Sequence, residues 1–215
     1  MEKIACSWSG GKDSCYALMK AKEQGNSLQV LVNMMNENNA ISRSHGLPYT
    51  ILQQQAIAMN IPLIAVPTSW SEYEKNFTNT LRVIKDQFQV STMVFGDIDL
   101  QAHRDWEEMV CTKTGMKAAL PLWKQDRKQL VCDMLNAGIE TVIVSCNTVL
   151  GEHFLGRVVN KTLIHELEER GVDVCGENGE FHTLVVNCPL FTNKIAVPDY
   201  EKIKHEEYWF LNWKV

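Results

Sequence analysis

Short apolar runs alternate along this chain with longer segments whose apolar positions recur at helical spacing. Ile4-Ala5-Cys6 is the first run, and Tyr16, Ala17, Leu18 and Ala21 mark a helix over residues 14–24. Residues 28–35 are almost continuously apolar, as expected of a parallel strand covered on both faces. After a polar loop at 36–44, Pro48 suits a helix start, with Leu52, Gln55 and Ala56 behind it. Residues 61–66 read as a third strand, and Tyr73, Phe77, Leu81 and Ile84 place an amphipathic helix over 71–87. A fourth strand at 92–96, a helix at 100–114 and a fifth strand at 117–123 complete the alternation. The pattern predicts an α/β fold, a doubly wound parallel five-stranded sheet with ligands at the carboxyl ends of its strands.

Proline and a charged run near 123–126 mark a boundary, giving a first domain at 1–125 and a smaller C-terminal α/β domain at 126–215. In the second part, residues 127–137 read as a helix closed by Gly138 and residues 140–146 as a strand. Val158, Leu163, Ile164 and Leu167 predict another helix, broken by Gly171. Asn178-Gly179 is the preferred pair for a tight hairpin turn, with Leu184-Val185-Val186 as the strand after it. The aromatic stretch at 208–213 is expected to pack on its own domain, with a homodimer as the other use for such a surface.

Composition narrows the function classes. The 215 residues carry a formal net charge of −5 with 22% charged residues, and no block of Lys or Arg marks a nucleic-acid groove, so DNA is not an expected partner. No apolar run is long enough to cross a bilayer and no signal peptide precedes the first strand, which implies a cytoplasmic protein with no membrane partner. The seven cysteines are scattered through apolar stretches without a C-x-x-C pair, the usage of buried, reduced thiols.

The chemistry concentrates first in Ser7-Trp8-Ser9-Gly10-Gly11-Lys12-Asp13-Ser14, between the first strand and its helix. Adjacent glycines let the backbone turn where side chains would clash, and a helix start offers unpaired amides and the positive dipole end to phosphate oxygens. Lys12 adds a charge; Ser9 and Ser14 add hydroxyls. Walker A spacing would need glycine at Cys6 and Ser or Thr at Asp13, so this is a different phosphate loop. The second concentration is Cys175-Gly176-Glu177-Asn178-Gly179-Glu180-Phe181-His182-Thr183, two glutamates about a turn beside a histidine. His45 reads as an ordinary loop histidine, with a loop leaning over the nucleotide as its other reading, and the charged helix at 100–114 as mainly a solvated face.

Ser9-Gly10-Gly11-Lys12-Asp13-Ser14 resembles the SGGxDS signature of the PP-loop ATP pyrophosphatases, of the same broad fold type as other adenine-nucleotide α hydrolases. Together with Gly96-Asp97-Ile98, His103-Arg104, Trp106-Glu107, Phe154-Leu155-Gly156-Arg157 and the GExGEF-type motif at 176–181, the chain is similar over its whole length to the diphthine–ammonia ligase family. That resemblance implies ATP and Mg²⁺ as cofactors, AMP and pyrophosphate as products, and amidation by ammonia of diphthine on elongation factor 2. It implies nucleotide contacts at Ser7, Ser9, Gly10, Gly11, Lys12, Asp13, Ser14, Gly96 and Asp97, with adenine held by Val32, Asn33 and Met34. Asp13 and Asp97 are the expected metal ligands, and Lys12, Asp13, Glu177 and Glu180 the expected catalytic groups. His103, Arg104, Arg157, Gly176, Glu177, Asn178, Gly179, Glu180 and His182 are expected to meet the acceptor. Glu177 and Glu180 with a nearby aromatic would suit its quaternary ammonium. Two further readings stand beside this one: a PP-loop enzyme acting on another small molecule or RNA, and a nucleotide-binding regulator without turnover.

Overall fold

The computed structural model describes residues 1–214. The first sheet is all parallel, in the order β3 (Leu63–Pro67), β2 (Ser27–Met35), β1 (Lys3–Ser7), β4 (Thr92–Val94), β5 (Lys117–Ala119). Helices α1 (Lys12–Glu23), α2 (Tyr49–Met59), α3 (Tyr73–Phe88) and α4 (Gln101–Lys113) connect these strands. Because successive strand residues point to opposite faces, Ala5 packs with the α3 side chains Phe77, Leu81 and Ile84, while Ile4 and Cys6 pack with α1 and α2. Chain order reverses between β1 and β4, which puts the loop after β1 and the segment after β4 side by side at one sheet edge.

The fifth strand is shorter than its apolar pattern predicts. Pro121 has no amide to extend a ladder, and the chain turns over residues 121–124, with Lys124 at φ 61°. The second sheet is antiparallel, in the order β7 (Phe181–Asn187), β6 (Glu140–Asn147), β9 (Tyr208–Trp213), β8 (Tyr200–His205). Helix α5 (Arg127–Asn136) starts at Asp126, whose carboxylate accepts from the Gln129 amide at 2.8 Å. Helix α6 (Lys161–Glu169) is capped in the same way by Asn160 and Leu163, at 2.9 Å. Val158 lies outside that helix and bridges to Val142.

The expected hairpin around Asn178-Gly179 does not form. Residues before it turn instead of pairing, the Gly179 amide closing on the Gly176 carbonyl at 3.1 Å, and β7 pairs with β6. The aromatic strand β9 is accounted for by β6 and β8 within its own sheet.

The two sheets share one apolar core. Side chains of α1 and α2 are continuous with those of α5, β6, α6 and β7. Polar links are equally specific: fully buried Gln55 donates to the carbonyls of Gly10 (3.0 Å) and Val185 (2.8 Å) and accepts from the Trp8 indole at 2.9 Å. The Val185 amide also donates to the Gly10 carbonyl at 2.9 Å, so β7 lies directly across the glycine loop.

Candidate active site

Gly10 has φ +84°, and a Cβ there would sit 2.6 Å from the Leu47 side chain, so the turn requires glycine. Beyond it α1 starts with its first amides free of intrahelical partners. The Gly11 amide donates to Ser9 Oγ at 3.2 Å, and the Ser9 and Ser14 hydroxyls are 3.0 Å apart. Thr183 Oγ1 on β7 accepts from the Lys12 amide at 3.1 Å. Gly96 lets the end of β4 approach closely, since a Cβ would come within 2.7 Å of the Ser14 amide nitrogen.

Lys12 is 3% exposed, and its ammonium donates to both Asp13 oxygens (3.0 and 2.8 Å) and to the Cys175 carbonyl. Burial alone would push that ammonium's pKa down, but Asp13, Cys175 and Glu177 carry it above its ordinary value. The Lys12 charge therefore joins the phosphate loop to the glutamate motif of the second sheet. Glu177 Oε1 accepts from the Ile98 amide at 3.3 Å, and burial with Asp13 nearby pushes its carboxyl up to about 7. Asp173 fixes the turn by accepting from the Cys175 (3.0 Å) and Glu177 (3.2 Å) amides, and Arg127 bridges Asp173 to Asp99.

These groups open onto a cavity of about 720 Å³. One side carries Ser9, Lys12, Asp13 and Ser14; Glu177 and His182 come from the second sheet's side; Tyr73, Phe77, Phe95 and Trp106 form an aromatic wall. A smaller recess of about 120 Å³ adjoins it, lined by Val32, Asn33 and Met34 together with Ser7, Ser9, His45 and Tyr73. Asn33 donates to the Trp8 carbonyl at 2.7 Å, while its buried Oδ1 has no partner and suits a ligand amine.

At the far end His103 Nδ1 donates to Asp97 Oδ1 at 2.7 Å. Burial would raise the Asp97 carboxyl, but hydrogen bonds from His103 and Glu107 hold it below its ordinary value. Burial first, then Asp97, pushes Glu107 up to about 11, so it keeps a proton that it shares with Asp97. Asp13 is tied to Lys12 and Asp97 to His103 and Glu107, and no group of three His, Cys, Asp or Glu side chains among the described residues is arranged to hold a metal ion. The donor set does not fit a magnesium ion held by the protein alone.

The sequence profile described as the diphthamide synthase N-terminal domain matches residues 2–118, and the corresponding C-terminal domain matches residues 126–215. The chain belongs to the diphthamide synthase family. A diphthine–ammonia ligase of Danio rerio is 28% identical over 225 residues, covering 93% of this chain and 88% of that protein. The Homo sapiens protein of that name is 26% identical over 229 residues, covering 94% and 85%. The Schizosaccharomyces pombe one is 27% identical over 222 residues, covering 92% of this chain but 36% of its own length. A solved structure titled as a predicted subunit of tRNA methyltransferase from Methanocaldococcus jannaschii gives a TM-score of 0.46 at 16% identity, over 91% of this chain and 100% of that one. Like the relatives named as ligases, this diphthamide synthase family member is an enzyme that forms carbon–nitrogen bonds.

Of the positions singled out in the sequence, Ser7, Ser9, Lys12, Asp13, Ser14, Gly96, Asp97, His103, Gly176, Glu177, Gly179 and His182 line the large cavity. Val32, Asn33 and Met34 line the adjoining recess, and Gly10 and Gly11 shape the loop between. Four positions, Arg104, Arg157, Asn178 and Glu180, lie off the cavity. Arg104 pairs with Glu108 at 2.7 Å and covers the Trp123 ring; Arg157 pairs with Glu166 at 2.6 Å and covers Phe154. Glu180 turns back to the Asn178 amide and side chain at 3.0 and 3.2 Å, so the two glutamates do not converge on one cation.

His45 departs from the plainer of its two sequence readings, since it lines both the cavity and the adjoining recess. Buried, it donates from Nδ1 to the Thr183 carbonyl at 2.8 Å and lies 4.7 Å from the His182 ring. Burial lowers both imidazoles, His182 to about 3, so both are neutral at physiological pH. Glu107 and the aromatic wall also escaped the sequence reading; their signal was Trp106-Glu107 on a helix whose other charges are solvated.

Proposed function

We propose that this enzyme activates the carboxylate of diphthine on elongation factor 2 with ATP and amidates the acyl adenylate with ammonia, giving AMP and pyrophosphate. The observation that carries this reading is that the Gly10–Ser14 loop and Glu177 open onto one cavity of about 720 Å³, with an adenine-sized recess beside it. In this reading residues 1–125 bind the nucleotide and residues 126–215 present the acceptor.

Adenine occupies the recess, where its exocyclic amine partners Asn33 Oδ1. The loop amides, Ser9 and Ser14 hold the phosphates, and the positive end of α1 offsets charge developing on the departing pyrophosphate. Lys12, held between Asp13 and the Cys175 carbonyl, fixes the loop against the acceptor side. Asp13 and Asp97 would hold a magnesium ion only together with the triphosphate, where it would offset phosphate charge. Activation replaces a poor leaving group with AMP, after which ammonia attacks the carbonyl carbon.

Among the described residues no helix is long and apolar enough to cross a membrane; the proposed substrate would put the reaction in the cytoplasm. The test is nucleotide product analysis with ATP, magnesium, ammonium and diphthine-bearing elongation factor 2, beside mass analysis of the factor. AMP formed in step with amidation is the expected result, and ADP as product would overturn the reading.

A further inference from the structure

His45 stands where the large cavity meets the smaller recess. It lines both, as do Ser7, Ser9, Ser44 and Tyr73, so these side chains surround the passage between the two spaces. A nucleotide with its base among Val32, Asn33 and Met34 and its phosphates on the Gly10–Ser14 loop threads that passage with its sugar.

The imidazole is fixed in place before any ligand arrives. Its Nδ1 lies 2.8 Å from the Thr183 carbonyl oxygen and its ring 4.7 Å from that of His182, while a Cβ on Gly11 would meet His45 Cε1 at 2.4 Å. A carbonyl oxygen can only accept, so in the neutral ring Nδ1 holds the proton and Nε2 holds a lone pair. Among the described residues Nε2 has no protein partner, yet unlike Asn33 Oδ1 it is not sealed off, so it faces the passage.

That tautomer restricts what can meet the ring. The oxygens of the α- and β-phosphates only accept, and a bare lone pair repels them. The serine and tyrosine hydroxyls around the passage can turn to donate or to accept, so they select weakly. The imidazole nitrogen demands a donor. On the sugar of a nucleotide the donors are the 2′- and 3′-hydroxyls.

We propose that His45 Nε2 accepts a hydrogen bond from a ribose hydroxyl of the bound nucleotide, which makes His45 the side chain by which this enzyme recognises an intact ribose. The inference rests on the nucleotide half of the reading above and not on its acceptor. The contact is set from across the molecule: Thr183 of β7 fixes the tautomer of a ring carried by the loop before α2. Holding the acceptor in one orientation beforehand lowers the cost of ordering it when the sugar enters.

The first test is calorimetric titration of the full chain with ATP, 2′-deoxy-ATP and 3′-deoxy-ATP, in magnesium and without acceptor. One of the deoxy compounds should bind about threefold to tenfold more weakly than ATP, the range of one neutral hydrogen bond. His45→Asn can keep an amide donor where Nδ1 stood but has no atom at Nε2, and should bind all three nucleotides alike. Equal affinities in the unchanged protein, or discrimination that survives in His45→Asn, would overturn the proposal. Thermal unfolding of the variant separates misfolding from loss of the contact. The second test needs no variant to bind: nitrogen NMR of the unchanged protein follows the His45 ring as ATP is added. Nε2 should stay unprotonated and shift as a nitrogen that accepts a hydrogen bond. Conversion of the ring to imidazolium would mark a phosphate contact instead, and an unmoved Nε2 would mark none; either overturns the proposal. Acceptor-dependent AMP formation reports the amidation reading separately. Its absence beside ribose-selective binding would sink the proposed acceptor and leave His45 standing, whereas its presence beside unselective binding would do the reverse.

Discussion

Replacing Gly11 with alanine tests whether the phosphate loop is held by the second sheet. Gly11 has φ −96° and ψ 176°, which alanine adopts freely, so backbone strain plays no part. The added Cβ would lie 2.4 Å from His45 Cε1 and 3.1 Å from the Thr183 carbonyl oxygen. The first distance is about 1 Å short of an ordinary carbon contact. Backbone on the far side leaves the imidazole as the group that must yield, which breaks its 2.8 Å bond to Thr183. Overpacking costs about 1–3 kcal/mol and the lost hydrogen bond about 0.5–1.5 kcal/mol, so a loss of about 2–4 kcal/mol is expected. For a chain of this length that lowers Tm by roughly 4–16 °C. The assay is denaturant unfolding of Gly11→Ala, His45→Ala and the double variant. Once the ring is absent the Cβ has room, so the double variant should be more stable than the sum of the single losses predicts, by about 1 kcal/mol or more. Additive losses, or an undisturbed Gly11→Ala protein, would refute the argument that His45 fills the space a side chain would take.

Two further predictions concern the same junction and the acid pair. Thr183→Val leaves the buried Lys12 amide without its acceptor and should cost about 1–3 kcal/mol in chemical denaturation, with Thr183→Ser restoring most of it. Asp97 raises the His103 pKa by hydrogen bonding against the opposing effect of partial burial. The stability this pair adds is present below the ordinary histidine value and fades as pH rises through the raised one. NMR titration of Asp97→Asn should show the His103 transition moved to lower pH; an unmoved transition would remove the pair as its cause.

The parallel sheet was legible because each buried strand is a compact apolar run and each helix carries its stripe, signals that need no tertiary knowledge. The glycine loop was legible because its chemistry is contiguous. Groups brought together from distant positions were not. His45 acquires its surroundings from Thr183, 138 positions later. Glu107 sits among solvated charges on α4, and only packing against Asp97 and the aromatic rings distinguishes it. Arg104 and Arg157 had the chemistry of phosphate or carboxylate ligands, yet local partners on their own or an adjacent segment took them up. The hairpin between β8 and β9 turns through Glu206 at φ 52°, without the glycine or asparagine that normally announces such a turn.

The Lys12 amide and ammonium find partners at Thr183 and Cys175, 171 and 163 positions further along the chain. During synthesis the nucleotide loop therefore leaves the ribosome long before the strand that completes it. A nascent chain that stops short of Cys175 would hold a lysine and a helix start without their later partners, and no Glu177. The geometry of the loop is thus completed late in synthesis, by the same turn and strand that bring Glu177 and His182 to the cavity.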